Sequence, residues 1–144
     1  MWKELVRQFS GPIVTQAGTS ESALRLAEES LAVGFPGDLR GCLLEFDGIE
    51  GEYGLGLLWS VERIVQENVS FRNNAEFKEL YMPFDCLLFF ADAGNGDQFA
   101  FPIQAGEIRR DDVFVWNHED DSRTWVAPSL SKYLEWWLCG KFTV

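Results

Sequence analysis

The segment Cys86-Leu-Leu-Phe-Phe-Ala-Asp-Ala-Gly-Asn-Gly-Asp-Gln-Phe-Ala-Phe-Pro102 holds two apolar runs separated by a glycine-rich turn. Cys86 to Ala91 is continuous, rich in aromatics and bounded by turn residues, the pattern of a strand buried on both faces. Gly94 to Asp97 supplies a turn, and Gln98 to Pro102 a second strand, so the segment predicts a hairpin. Downstream, Val113 to Asn117 and Thr124 to Ala127 read as two more short strands around the acidic turn His118 to Ser122. Ser129 then caps a final helix with Leu130, Tyr133, Leu134, Trp137 and Leu138 inward and Gly140 at its end.

Upstream, the periodicity is helical. Trp2, Leu5, Val6 and Phe9 fall at i, i+3, i+4 and i+7 before the Gly11-Pro12 break. A second helix is expected from Thr19-Ser20 past Leu24, Ala27 and Leu31 to Gly34. A third carries Pro36 in its first turn, then Leu39, Cys42, Leu43 and Phe46, and ends at Asp47-Gly48. Three helices thus precede any strand. Tyr53 to Trp59, with Gly54 and Gly56 inside, reads as an edge or bulged strand. Ser60 caps a fourth helix with Val61, Ile64 and Val65, and Asn73 to Tyr81 adds a helical turn or two, closed by Met82-Pro83. This order predicts an α+β fold: a single domain over 1–144, mostly an antiparallel twisted sheet of short strands packed by N-terminal and C-terminal helices, with 1–18 a helical extension.

Composition narrows the function classes. With 144 residues, 47% of them hydrophobic, the chain can bury a core and is not disordered. A net charge of -11 repels phosphate backbones, which argues against direct nucleic-acid binding. The N-terminus lacks a signal-peptide pattern, and the longest apolar run is far short of a membrane span. Cys42, Cys86 and Cys139 are odd in number, widely separated and set in apolar stretches, as expected of reduced, buried thiols in a cytoplasmic protein.

The charge is unevenly placed. Residues 41–62 hold Glu45, Asp47, Glu50, Glu52 and Glu62 and no base, a balance of -5. Residues 92–121 hold Asp92, Asp97, Glu107, Asp111, Asp112, Glu119, Asp120 and Asp121 against Arg109 and Arg110, a balance of -6. Those two segments carry the whole excess, largely in loops and strand ends, where they can steer a basic partner. A solvated face that only aids solubility is the plainer alternative.

Motifs for chemistry are absent. His118 is the single histidine, with no local nucleophile arrangement beside it. His118 to Asp121 lacks metal-ligand spacing, and Asp92 to Asp97 fails as a calcium loop because Gly94 and Ile103 sit where oxygen ligands belong. No glycine pattern cradles phosphate, so no cofactor is expected.

Phe35-Pro-Gly-Asp-Leu-Arg-Gly-Cys-Leu-Leu-Glu-Phe-Asp-Gly48 resembles the Leu-Pro to Asn-Gly segment of the SUKH superfamily, with Phe35 and Asp47 replacing the family's Leu and Asn. Ala91 to Phe101 is similar to its Gly-Asp-aromatic segment, and Val113 to Glu119, Trp125 to Ser129 and Leu130 to Leu138 to its C-terminal pattern. That superfamily groups fungal cell-wall-synthesis regulators with bacterial immunity proteins. The resemblance implies a SUKH-like fold and a non-enzymatic protein that binds a cognate toxin, often a nuclease. The acidic segments supply the expected partner-binding residues: Asp47, Glu50, Glu52, Asp92, Asp97, Asp111, Asp112, Glu119, Asp120 and Asp121. A regulatory scaffold is the alternative, and a ligand-binding or hydrolytic pocket beside Asp92 to Asp97 a third.

Overall fold

A computed structural model describes residues 1–9 and 11–142. In chain order its elements are α1 (Trp2–Arg7), β1 (Val14–Ala17), α2 (Glu21–Leu31), α3 (Gly37–Glu45), β2 (Phe46–Glu50), β3 (Gly56–Leu58), α4 (Val61–Asn73), α5 (Ala75–Leu80), β4 (Leu87–Asp92), β5 (Gln98–Pro102), β6 (Val113–Trp116), β7 (Arg123–Ala127) and α6 (Leu130–Leu138). Two antiparallel sheets form, ordered β1-β2-β3 and β4-β5-β6-β7.

The apolar run at the centre of the sequence becomes β4, buried from Leu87 to Ala91. One face of its sheet meets α4, α5 and the turn after them. There Phe71, Phe84, Phe89 and Trp116 pack edge-on or tilted, with Phe71 5.0 Å from Phe89 and Phe84 5.2 Å from Trp116. The opposite face meets α6, where Phe90 stacks on Phe101 at 4.6 Å and Tyr133 lies 4.7 Å from Phe99. Aromatic edges set against faces add directional attraction to area burial. Both faces are therefore apolar, which explains a continuous run in place of an alternating one.

β4 is also the first strand of its sheet, so half its backbone groups have no strand partner. Side chains of α4 take that place. The Phe89 N–H donates to Asn68 Oδ1 at 2.9 Å, and Asn68 Nδ2 donates to Phe89 O at 2.8 Å. Asn68 is 1% exposed. One turn further along the same face of α4, Arg72 donates to Leu87 O and to Leu31 O at the end of α2. The Trp59 N–H, just after β3, donates to Phe90 O at 2.8 Å and so joins the two sheets. Tyr133 Oη donates to Leu57 O at 2.9 Å and fixes α6 to β3.

Several sequence expectations are corrected. Strands do not wait for three helices: β1 lies between α1 and α2, so residues 14–17 belong to a sheet and 1–18 is not wholly helical. Phe46 leaves α3 to pair with Ala17 in β2. Asp47, expected to end that helix, accepts the Val61 N–H and caps α4 instead. α2 stops at Leu31 through a left-handed Ala32, short of Gly34. Only Gly56–Leu58 of the stretch 53–59 is a strand. Cys42 is buried, which pushes its thiol pKa up, but Cys86 and Cys139 are exposed.

Asp121 latches the β6–β7 loop to the turn after α5. Its carboxylate accepts from the Trp116 indole N–H (2.8 Å), the Met82 N–H (2.9 Å) and Arg123 (3.2 Å). Burial opposes its charge, yet these donors outweigh it and hold the carboxyl below its ordinary value.

Asn68→Leu keeps the volume and strips both Phe89 bonds, so it is expected to lower unfolding free energy by about 2–4 kcal/mol. Tyr133→Phe, which loses one bond, should cost about 1 kcal/mol. Urea titrations followed by circular dichroism check the pair; two near-zero losses would show that these bonds do not hold the edge. A lowered folded-state pKa at Asp121 gives stability that is present above the unfolded value and lost as pH falls through the folded one. Wild-type urea midpoints should therefore drop below about pH 4, and Asp121→Asn should show a shallower drop; equal slopes would contradict the latch.

Candidate partner-binding edge

The antiparallel meander fixes which loops share an end. The β4–β5 turn (93–97) and the β6–β7 loop (117–122) lie together, while the β5–β6 connection (103–112) lies at the other end. At about 3.3 Å per residue, strands of this length separate the two ends by about 15 Å. The β2–β3 loop (51–55) joins the first end, because Gly94 faces Leu55 so closely that a Cβ on the glycine would fall 3.3 Å from Leu55 Cδ1. Gly96, at φ +97°, lies against the His118 imidazole; a Cβ there would fall 2.9 Å from Cε1. Three loops thus form one continuous edge.

The ten carboxylates singled out in the sequence divide by role. Asp97 is 5% exposed, and its Oδ1 engages both His118 Nδ1 (2.6 Å) and the His118 N–H (3.0 Å). It builds the edge and does not face solvent. Asp121 is the latch already described, and Asp47 is the cap on α4. Asp92 pairs with Arg63 at 2.9 Å, and Asp112 with Arg110 at 2.9 Å. Asp111 is exposed but lies with Asp112 at the far end. Glu50, Glu52, Glu119 and Asp120 remain on the edge, exposed and without an ion pair among the described residues. The Ser122 side chain and N–H hold the Asp120 carboxyl below its ordinary value.

A small cluster supports the β2 side of this edge. Arg63 lies over the Trp59 ring at 4.6 Å while bonding Asp92. Gly56 makes room for it, since a Cβ would fall 2.7 Å from Asp92 Oδ2 and 2.9 Å from Trp59 Cδ1. The cluster walls a cavity of about 240 Å³ that Asp47 and Glu50 also line.

One residue of the edge escaped sequence analysis. Tyr53 is 98% exposed at the tip of the β2–β3 loop and holds a left-handed φ of +59°. A bulky residue in that region is costly, and here it stands at a fully exposed tip directly after Glu52. The sequence signal was the Gly51 and Gly54 bracket around Glu52-Tyr53, which favours a loop over a strand.

Asp97 and His118 form a carboxylate–imidazole pair, but no Ser, Thr or Cys side chain bonds His118 among the described residues. Nor does any group of three or more His, Cys, Asp or Glu among them lie where it could hold a metal ion. No helix of the described residues is long and apolar enough to cross a membrane.

A family model described as SUKH_6, SMI1-KNR4 cell-wall, matches residues 21–134, from the first residue of α2 into α6. No curated protein matches the chain. Two antiparallel sheets packed by helices, entered through the Pro36 helix start and closed by the Ser129-capped helix, agree with that match. The chain belongs to the SMI1-KNR4 cell-wall family of the SUKH superfamily.

Proposed function

We propose that this protein binds and neutralises a basic bacterial toxin, without catalysis, along the edge formed by the 51–55, 93–97 and 117–122 loops. The observation that carries this is the set of unpaired carboxylates, Glu50, Glu52, Glu119 and Asp120, beside the exposed Tyr53. Family membership supports protein–protein interaction in general. A nuclease is the fitting partner class, since holding a phosphate backbone demands a basic surface. Carboxylates on the edge occupy that surface in place of substrate, and Tyr53 supplies a large rigid contact of the kind that dominates interface energetics. The whole-molecule charge of -11 steers the encounter and discourages direct contact with nucleic acid. The cytoplasm, where such a toxin would act, is the matching location.

Affinity capture from lysate of the source organism, eluted with rising salt, tests the proposal. A single basic protein released only at high salt is expected. Glu50→Lys with Glu52→Lys should weaken capture at least about tenfold and flatten the salt dependence, and Tyr53→Ala should also cost about tenfold. Asp111→Lys, beyond the roughly 10 Å screening length from the edge, should change affinity less than about twofold. Unchanged capture by the Glu50/Glu52 variant would overturn the proposed surface, and several acidic partners would favour a scaffold.

A further inference from the structure

A second cavity has none of the acidic edge's residues in its lining and carries the opposite charge, though its wall residues Tyr81 and Met82 bond to His118 O and to Asp121 in the β6–β7 loop. It has a volume of about 520 Å³ and opens between α4, α5 and the turn after α5, within the range of small-ligand sites. Phe71, Phe77, Tyr81 and Phe84 form its aromatic walls. Their mutual edge-to-face packing, with Phe71 5.3 Å from Phe77 and Phe77 5.3 Å from Tyr81, holds those walls in place. Met82, 58% exposed, borders the opening.

Three charged residues line the cavity: Arg72, Lys78 and Asp85. Neither Arg72 nor Lys78 makes an ion pair among the described residues, in a protein that carries 23 acids against 12 bases. Arg72 is half-buried. Both its Nη groups are used on carbonyls of Leu31 and Leu87, and its Nε is buried without a hydrogen-bond partner. Burial works against its charge and pulls its pKa below the ordinary value, while the nearby Asp85 acts in the other direction. A desolvated guanidinium facing carbonyl dipoles and no paired anion is a group that an incoming negative charge would stabilise.

We propose that this cavity binds a small amphipathic carboxylate, its apolar body against the four aromatic rings and its carboxylate toward Arg72 and Lys78. Aromatic walls with few convergent polar groups fit a flat or alkyl apolar body, and two cations against one acid fix the sign of the head group. The site shares no residue with the proposed toxin surface and does not depend on it.

Isothermal titration of the full chain with phenylbutyrate, phenylbutyramide and phenylbutylamine tests this. The carboxylate should bind with a dissociation constant on the order of 1 mM, as a ligand of this size reaches at ordinary efficiency. The amide and the amine should bind at least about tenfold more weakly. Lys78→Glu, at an exposed helix position that leaves the fold intact, should weaken the carboxylate about tenfold and leave the amide unchanged. Ser30→Trp, at the exposed rim on α2, should weaken all three probes by blocking entry. Equal affinities for the three probes, or undiminished carboxylate binding in Lys78→Glu, would overturn the assignment, as would no saturable binding of any probe.

Discussion

The open side of β4 is the constraint on which the rest of the molecule depends. A six-residue apolar strand at the border of a sheet presents backbone donors and acceptors that must be satisfied once both of its faces are covered. Asn68 and Arg72, one helical turn apart on α4, meet Phe89 and Leu87, and the Trp59 N–H meets Phe90. A helix therefore does the work of a neighbouring strand. That requirement fixes the rotation and height of α4 against the sheet, and through Arg72 the position of α2. It also joins the three-stranded and four-stranded sheets through the Trp59–Phe90 bond, and this brings the β2–β3 loop beside the β4–β5 turn.

The acidic edge follows from this geometry. Had β3 met β4 in another register, Leu55 would not lie over Gly94, and Glu50, Glu52 and Tyr53 would stand apart from the β6–β7 loop. The edge is also braced from within, because Asp47, Asp92, Asp97 and Asp121 serve as structure. Asp97 gathers His118, Asp121 gathers Trp116, Met82 and Arg123, and Asp47 caps α4. Charge on this protein thus has two uses. Buried or bonded carboxylates shape the loops, and the unpaired ones at their tips supply the field.

The central run, the hairpin, the final helix and the capped α4 were legible in the sequence because each rests on local signals: an apolar run, a glycine turn, a serine cap. Ser20, Ser60 and Ser129 each accept the expected N–H. What was not legible depends on pairing over distance. Val14 to Ala17 is exposed along its length and has no apolar alternation, so only its partner β2 makes it a strand. Phe46 fits the helical stripe of α3, yet the sheet claims it. The candidate surface was legible as charge and illegible as geometry: residues 92–121 read as one acidic segment, whereas the meander sends Asp111 and Asp112 to the end opposite Glu119 and Asp120. Tyr53 was hidden by the opposite error, a glycine-bracketed tip taken as the start of a strand.

Aromatic content shows the same division. The rings of Phe84, Phe89 and Trp116 are spent on one side of the sheet and those of Phe90, Phe99 and Tyr133 on the other, which leaves Tyr53 as the fully exposed aromatic on the edge. Hydrogen exchange on the captured complex, compared with the free protein, tests the account most directly. Protection confined to residues 50–55, 93–97 and 117–122 is the predicted footprint. Protection over Ile103 to Asp112 or over α2 and α5, with the edge loops unchanged, would contradict it.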